Sequence, residues 1–72
     1  MEKIKTLISN KEEVYRIKGV TEYNYTLFKS YVLGVLDYAY EDSTIKPFEF
    51  LNIVTYAKKR LDIFKEEVKH NA

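Results

Sequence analysis

The chain has 72 residues, no cysteine and a formal net charge of +1. That length admits one small domain, whose single core seldom supplies more than about 3 to 5 kcal/mol. The missing cysteines exclude disulfide staples, thiolate metal sites and thiol catalysis, and the near-neutral charge is far from the strongly basic balance of a dedicated nucleic-acid binder.

Residues 1–19 read as a short N-terminal helical segment. Ile4, Leu7 and Ile8 form an amphipathic turn or two that stops at Ser9-Asn10. Asn10 and Glu13 have capping-box spacing, which starts a second short helix at Lys11 and turns Val14 and Ile17 inward. The alternation over 13–18 also fits a short strand, and Gly19 stands where a helix ends on a glycine. The polar opening Met1-Glu2-Lys3-Ile4-Lys5 does not read as a signal peptide, so the expected setting is the cytoplasm.

The next start is Thr21, a good N-cap, followed by Glu22 in the first turn, with Val20 and Tyr25 at the two positions of a hydrophobic staple. A central helix over 22–41 follows. Placing its residues about 100° apart groups Phe28, Val32, Val35 and Ala39 on one line. Leu27, Tyr31 and Tyr38 lie on one flank of that line; Tyr25, Leu33, Leu36 and Tyr40 lie on the other. A surface helix needs an apolar arc of only about 100°, and this one covers roughly two thirds of the circumference, so it requires at least two neighbours. Gly34 falls in the remaining polar wedge, at a cost of about 1 kcal/mol relative to alanine; it marks a bend, a close helix approach or a tolerated surface glycine. Lys29 and Asp37 interrupt the apolar run, and a membrane span needs about 20 apolar residues.

Glu41-Asp42-Ser43-Thr44 ends the central helix. Pro47 fits the first position of a third helix, with Ile45 and Phe50 as a second staple and Glu49 in the first turn. Phe50, Val54, Ala57, Leu61, Phe64 and Val68 recur at spacings of four and three, the pattern of a helix seam, over 47–69. Two long helices joined by a short turn make an antiparallel hairpin. The expected fold is therefore all-α: a helical hairpin with a short N-terminal segment, dimerising into a four-helix-bundle-like core within a single domain, 1–72. Phe28, Tyr31, Val32, Val35, Leu36 and Ala39 of the central helix and Phe50, Val54, Ala57, Leu61 and Phe64 of the third supply the core and dimer contacts. In the alternative, the N-terminal segment folds back over the free flank and the chain is a monomeric three-helix bundle.

The residues offer little for catalysis, and no catalytic group, metal or cofactor is expected. His70 is the only histidine and lies in a terminal tail. Glu67 and His70 have the Glu-x-x-His spacing of di-iron bundles, but the further inward glutamates such a site needs are missing. The isolated Gly19 and Gly34 make no phosphate loop. Binding is the expected activity. Lys58, Lys65 and Lys69 edge the seam of the third helix, Lys59 and Arg60 point elsewhere, and Tyr56 and Ile63, a heptad apart, form a small apolar spot opposite the seam. These seven residues are the candidate partner-binding set. The alternative is a small DNA-binding regulator using the lysines of the N-terminal segment and of 58–69, with tyrosines to stack on bases.

The stretch Lys58-Lys59-Arg60-Leu61-Asp62-Ile63-Phe64-Lys65, basic positions bracketing aliphatic ones on the second arm of a hairpin, resembles the small capsid-assembly, scaffolding-type proteins of Gram-positive phages and their satellite elements. That resemblance covers about residues 22–69. It implies a homodimeric helix-loop-helix protein that grips a capsid (coat) protein through its C-terminal helix. Codon composition points the same way: Lys, Ile, Tyr, Asn and Phe, all favoured by AT-rich codons, dominate the chain, and arginine occurs only at Arg16 and Arg60. The expected source is an AT-rich genome, that of a low-GC Gram-positive bacterium or of its phages and mobile elements.

Overall fold

The computed structural model describes residues 2–71, and among these there are three helices and no strand: α1 (Glu2–Lys18), α2 (Glu22–Glu41) and α3 (Pro47–Asn71). None of the helices is long and apolar enough to cross a membrane.

The first helix corrects the sequence reading. Instead of two short pieces divided at Ser9-Asn10, or a strand over 13–18, one helix runs through. Its inward stripe is Ile4, Ile8 and Glu12, spaced four apart, so the buried face continues past Asn10 through a charged residue. An i,i+4 bond from Arg16 Nε to Glu12 Oε2 at 2.8 Å ties the following turn to it. Val14 and Ile17, expected inside, are 42% and 79% exposed.

The boundaries follow local chemistry. Gly19 has φ +136°, open to glycine at little cost, and its N–H donates to Tyr15 O at 3.0 Å, closing α1. Thr21 Oγ1 accepts from Asn24 N–H at 3.1 Å as the N-cap of α2, and Asn24 Nδ2 donates back to Gly19 O at 2.8 Å, stitching the connector to the helix it starts. At the other turn, Asp42 Oδ1 accepts from Thr44 N–H at 2.9 Å and from Thr44 Oγ1 at 2.6 Å. Lys46 N–H donates to Glu49 Oε1 at 3.1 Å, the reach-back half of a capping box, with Pro47 in the first helical position.

One core joins all three helices: Ile4 and Ile8 of α1, Phe28 and Val32 of α2, and Ile53, Ala57 and Phe64 of α3. Phe28 and Phe64 meet at its centre with ring centroids 5.6 Å apart, flanked by Tyr15 and Tyr25. The N-terminal helix thus lies along both arms of the hairpin, and the molecule is a three-helix rod of 41 × 16 × 16 Å. Of the expected core residues, Phe28, Val32, Ala39, Ala57 and Phe64 are buried, while Tyr31, Val35, Leu36, Phe50, Val54 and Leu61 are half-buried. Ile53, outside the expected seam, is fully buried. The seam predicted for one neighbour turns when α3 has two: its inner line becomes Ile53, Ala57 and Phe64, and Val54, Leu61 and Val68 move to the margin.

Candidate protein-binding surface

The seven residues of the candidate binding set lie in three directions around α3. Tyr56 is half-buried against the core, with Lys5 Nζ of α1 5.6 Å from its ring centroid. Arg60 also faces α1, Ile63 is half-buried, and Lys59 points into solvent. Lys58, Lys65 and Lys69 are exposed; Lys65 and Lys69 border Tyr25 and Thr26 of α2, and Lys69 Nζ lies 3.7 Å from Glu66 Oε1. The structure therefore does not bring the set together on one face. Its lysines edge the α2–α3 side, while Tyr56 and Arg60 belong to the packing of α3 on α1.

Arg60 is part of a polar cluster that joins α3 to α1. Glu12 is 4% exposed. Arg60 Nε donates to Glu12 Oε1 and Arg60 Nη2 to Glu12 Oε2, each at 2.7 Å, a two-pronged bond between α3 and α1. Arg16 bonds Glu12 from the same helix and ion-pairs with Glu67 of α3, while its guanidinium stands 5.2 Å from the Phe64 centroid. Both arginines of the chain thus converge on one carboxylate. Burial pushes the Glu12 carboxyl up, but the hydrogen bonds and charges of Arg60 and Arg16 together outweigh burial and hold it below the usual carboxylate value. Arg16 is raised chiefly by its bond to Glu67, and Arg60 by its bond to Glu12. The cluster is a neutral clamp. Among the described residues no three His, Asp or Glu side chains gather to hold a metal ion.

The exposed apolar surface lies elsewhere. Leu33 and Tyr40 of α2, a heptad apart, are 51% and 76% exposed, and Leu51 of α3 is 64% exposed. Tyr40 packs edge-on to Phe50 at 5.5 Å. A cleft of about 320 Å³ opens there among Ala39, Tyr40, Ile45, Pro47, Phe50 and Leu51. Leu51, Lys58 and Lys65 follow at heptad spacing along α3, so this side changes from apolar near the turn to lysine-edged toward the open end. Sequence reasoning placed Leu33 on a flank of the central helix and passed over Leu51; the heptad relation of Leu51 to Lys58 and Lys65 is the signal that would have found it.

A second cleft, of about 340 Å³, lies between α1 and α2 over Leu7, Tyr31, Gly34 and Tyr38. A Cβ built on Gly34 meets nothing within 4 Å, which leaves the tolerated surface glycine of the three readings. Lys11 Nζ sits 4.7 Å from the Tyr31 ring centroid at the cleft's edge. No family model, curated protein or solved structure matches the chain.

Proposed function

We propose that the chain is a non-catalytic, homodimeric protein-binding module, encoded by a phage or mobile element and acting in the host cytoplasm, that presents the lysine edge of α3 to an acidic surface of a partner protein. A coat protein, in a scaffold-like assembly role, is the partner class that the resemblance of the hairpin and its basic second arm favours. Two observations support this reading: the exposed apolar side chains Leu33, Tyr40 and Leu51 of the α2–α3 side, which suit the homodimer contact, and the exposed lysines Lys58, Lys65 and Lys69 along the edge of α3, which suit an acidic partner. Surfaces of these kinds are used for docking. The non-catalytic reading rests on what the titratable groups already do: Glu12 is held as an ion pair by two arginines, and His70 is exposed in the last turn of α3.

The second reading, a small DNA-binding regulator, draws on the same lysines together with those of α1. It is less favoured because Lys5 and Lys11 sit over tyrosine rings and both arginines are paired within the chain. The test is affinity capture from cells carrying the gene in its native genome, comparing the wild type with Lys58→Glu/Lys65→Glu. The expected result is one protein recovered by the wild type and lost with the double variant at unchanged helicity. Recovery of DNA instead, with an affinity that falls steeply as salt rises, would replace the adaptor by the regulator.

A further inference from the structure

The α2–α3 side is the one face of the rod that α1 leaves open, and the charges of the hairpin that forms it are sorted along its length. The half near the turn, residues 33–54, carries Asp37, Glu41, Asp42 and Glu49 against Lys46 alone. The open half of the hairpin carries Lys29, Lys58, Lys59, Lys65 and Lys69 against Glu22, Asp62 and Glu66, once Arg60 and Glu67 are set aside as partners of α1. The exposed Leu33, Tyr40 and Leu51 all lie in the acidic half.

From this arrangement we propose that a second copy of the chain seats on the α2–α3 face in antiparallel orientation, related by a two-fold axis passing near Leu36 and Val54. The proposal rests on the homodimeric reading given above and deepens it to one face and one orientation. A two-fold axis pairs a surface with itself, so Leu33, Tyr40 and Leu51 of each copy cover those of the other. Lys29 is one heptad from Leu36, about 10 Å along the helix. It therefore comes level with residue 43 of the mate, beside the mate's Glu41 and Asp42. Lys65, which borders Tyr25 and Thr26, is about 15 Å from the axis by the same rise and falls at the mate's turn, while the two-fold repeats the Lys29 pairing at the other end. Antiparallel pairing thus lays acid on base at both ends at once. Parallel pairing stacks the acidic turns on each other and the lysines on each other, and like charges set the orientation.

The available surface is adequate. The chain exposes 5135 Å², roughly a tenth more than the ~4,700 Å² of a folded monomer of its mass. A standard interface covers about 800 Å² on each partner.

The experiment is mass by light scattering during size exclusion over a dilution series, with circular dichroism alongside, on the wild type and Leu51→Asp. The wild type is expected at twice the 8.6 kDa chain mass. Leu51→Asp enters a two-fold interface twice and is expected to run as a folded single chain, its dimer dissociation constant raised at least about 100-fold. Because the chain has no cysteine, single introduced thiols report orientation in an otherwise wild-type background. A short bis-maleimide is expected to join Leu33→Cys to its mate and to leave Lys65→Cys, some 30 Å from its mate by the helix rise, unjoined. A wild type that is monomeric at every concentration, a Leu51→Asp dimer as tight as the wild type, or equal cross-linking at the two positions overturns the proposal. The two readings fail separately: a Leu51-dependent dimer that captures no protein leaves the self-pairing standing without the adaptor, and lysine-dependent capture by a persistent monomer does the reverse.

Discussion

The two sides of α3 solve opposite problems. Toward α1 it presents Arg60 and Glu67 to a buried carboxylate and its arginine partner, and these four charges are matched among themselves. Toward the open side near the turn it presents Leu51 beside Tyr40 and Phe50, an apolar surface that the chain does not cover. A polar group inside and apolar groups outside reverse the ordinary distribution, and the difference separates what holds the monomer together from what is left for another molecule. Ion pairs of this kind are weak evidence of net stability, yet removing one partner is costly because the others stay desolvated and unmatched.

That contrast predicts the largest loss of stability for Glu12→Ala. The change strands the partly buried Arg60 guanidinium and leaves Arg16 with Glu67 alone, and we expect a loss of about 3 kcal/mol, read by urea denaturation. On the opposite side, Leu51→Ser should stay within about 0.5 kcal/mol of the wild type in the same assay run at concentrations where the chain is monomeric. Comparable losses on both sides would erase the distinction.

The register of α3 is tested next. Ile53→Ala should cost about 2 to 4 kcal/mol, by loss of a fully buried side chain, and Val54→Ala about 1 kcal/mol. The reverse order would restore the seam read from the sequence, in which Val54 faced in and Ile53 did not.

Acid sharpens the comparison further. The Glu12 carboxyl titrates lower in the folded chain than its ordinary value of 4.5, so the unfolded chain binds its proton first as pH falls. Its contribution is therefore complete above about pH 4.5 and is lost as pH drops through the lower folded value. Asp42, lowered by its hydrogen bonds from the Thr44 hydroxyl and N–H, acts in the same direction. Thermal midpoints should stay level from neutral pH to about 5 and then decline, and Glu12→Gln should flatten that decline. The smallest expected effect is a gain: Gly34→Ala meets no steric obstacle and should add up to about 1 kcal/mol from helix propensity.

The parts legible in the sequence were those governed by neighbours in the chain. Thr21, Gly19, Pro47 and Glu49 place three of the helix ends because caps and turns are short-range hydrogen-bond problems, solved within about five residues. The course of α1 was not legible, since its inward stripe passes through Glu12. A glutamate becomes an interior residue only when Arg60, 48 positions away, arrives to pair with it. The same long-range pairing accompanies the packing of α1 against α3, which turns the seam toward Ile53 and takes Tyr56 and Arg60 out of the candidate binding surface. Apolar periodicity, read alone, assigned Val14 and Ile17 the place that a charged residue holds.

The convergence of both arginines on Glu12 also fixes the chemical vocabulary of the outer surface. With no other guanidinium in the chain, the outer surface carries its positive charge on lysine ammoniums. A lysine is a point charge on a flexible stem and lacks the planar fork that reads a carboxylate or phosphate in two places at once. A carboxylate of a partner protein met through these lysines is therefore attracted by charge without the two-pronged bond that would fix its plane. Reductive methylation, which alters amines and leaves guanidiniums untouched, would consequently rewrite the exterior of this protein while its internal ion pairs keep their form.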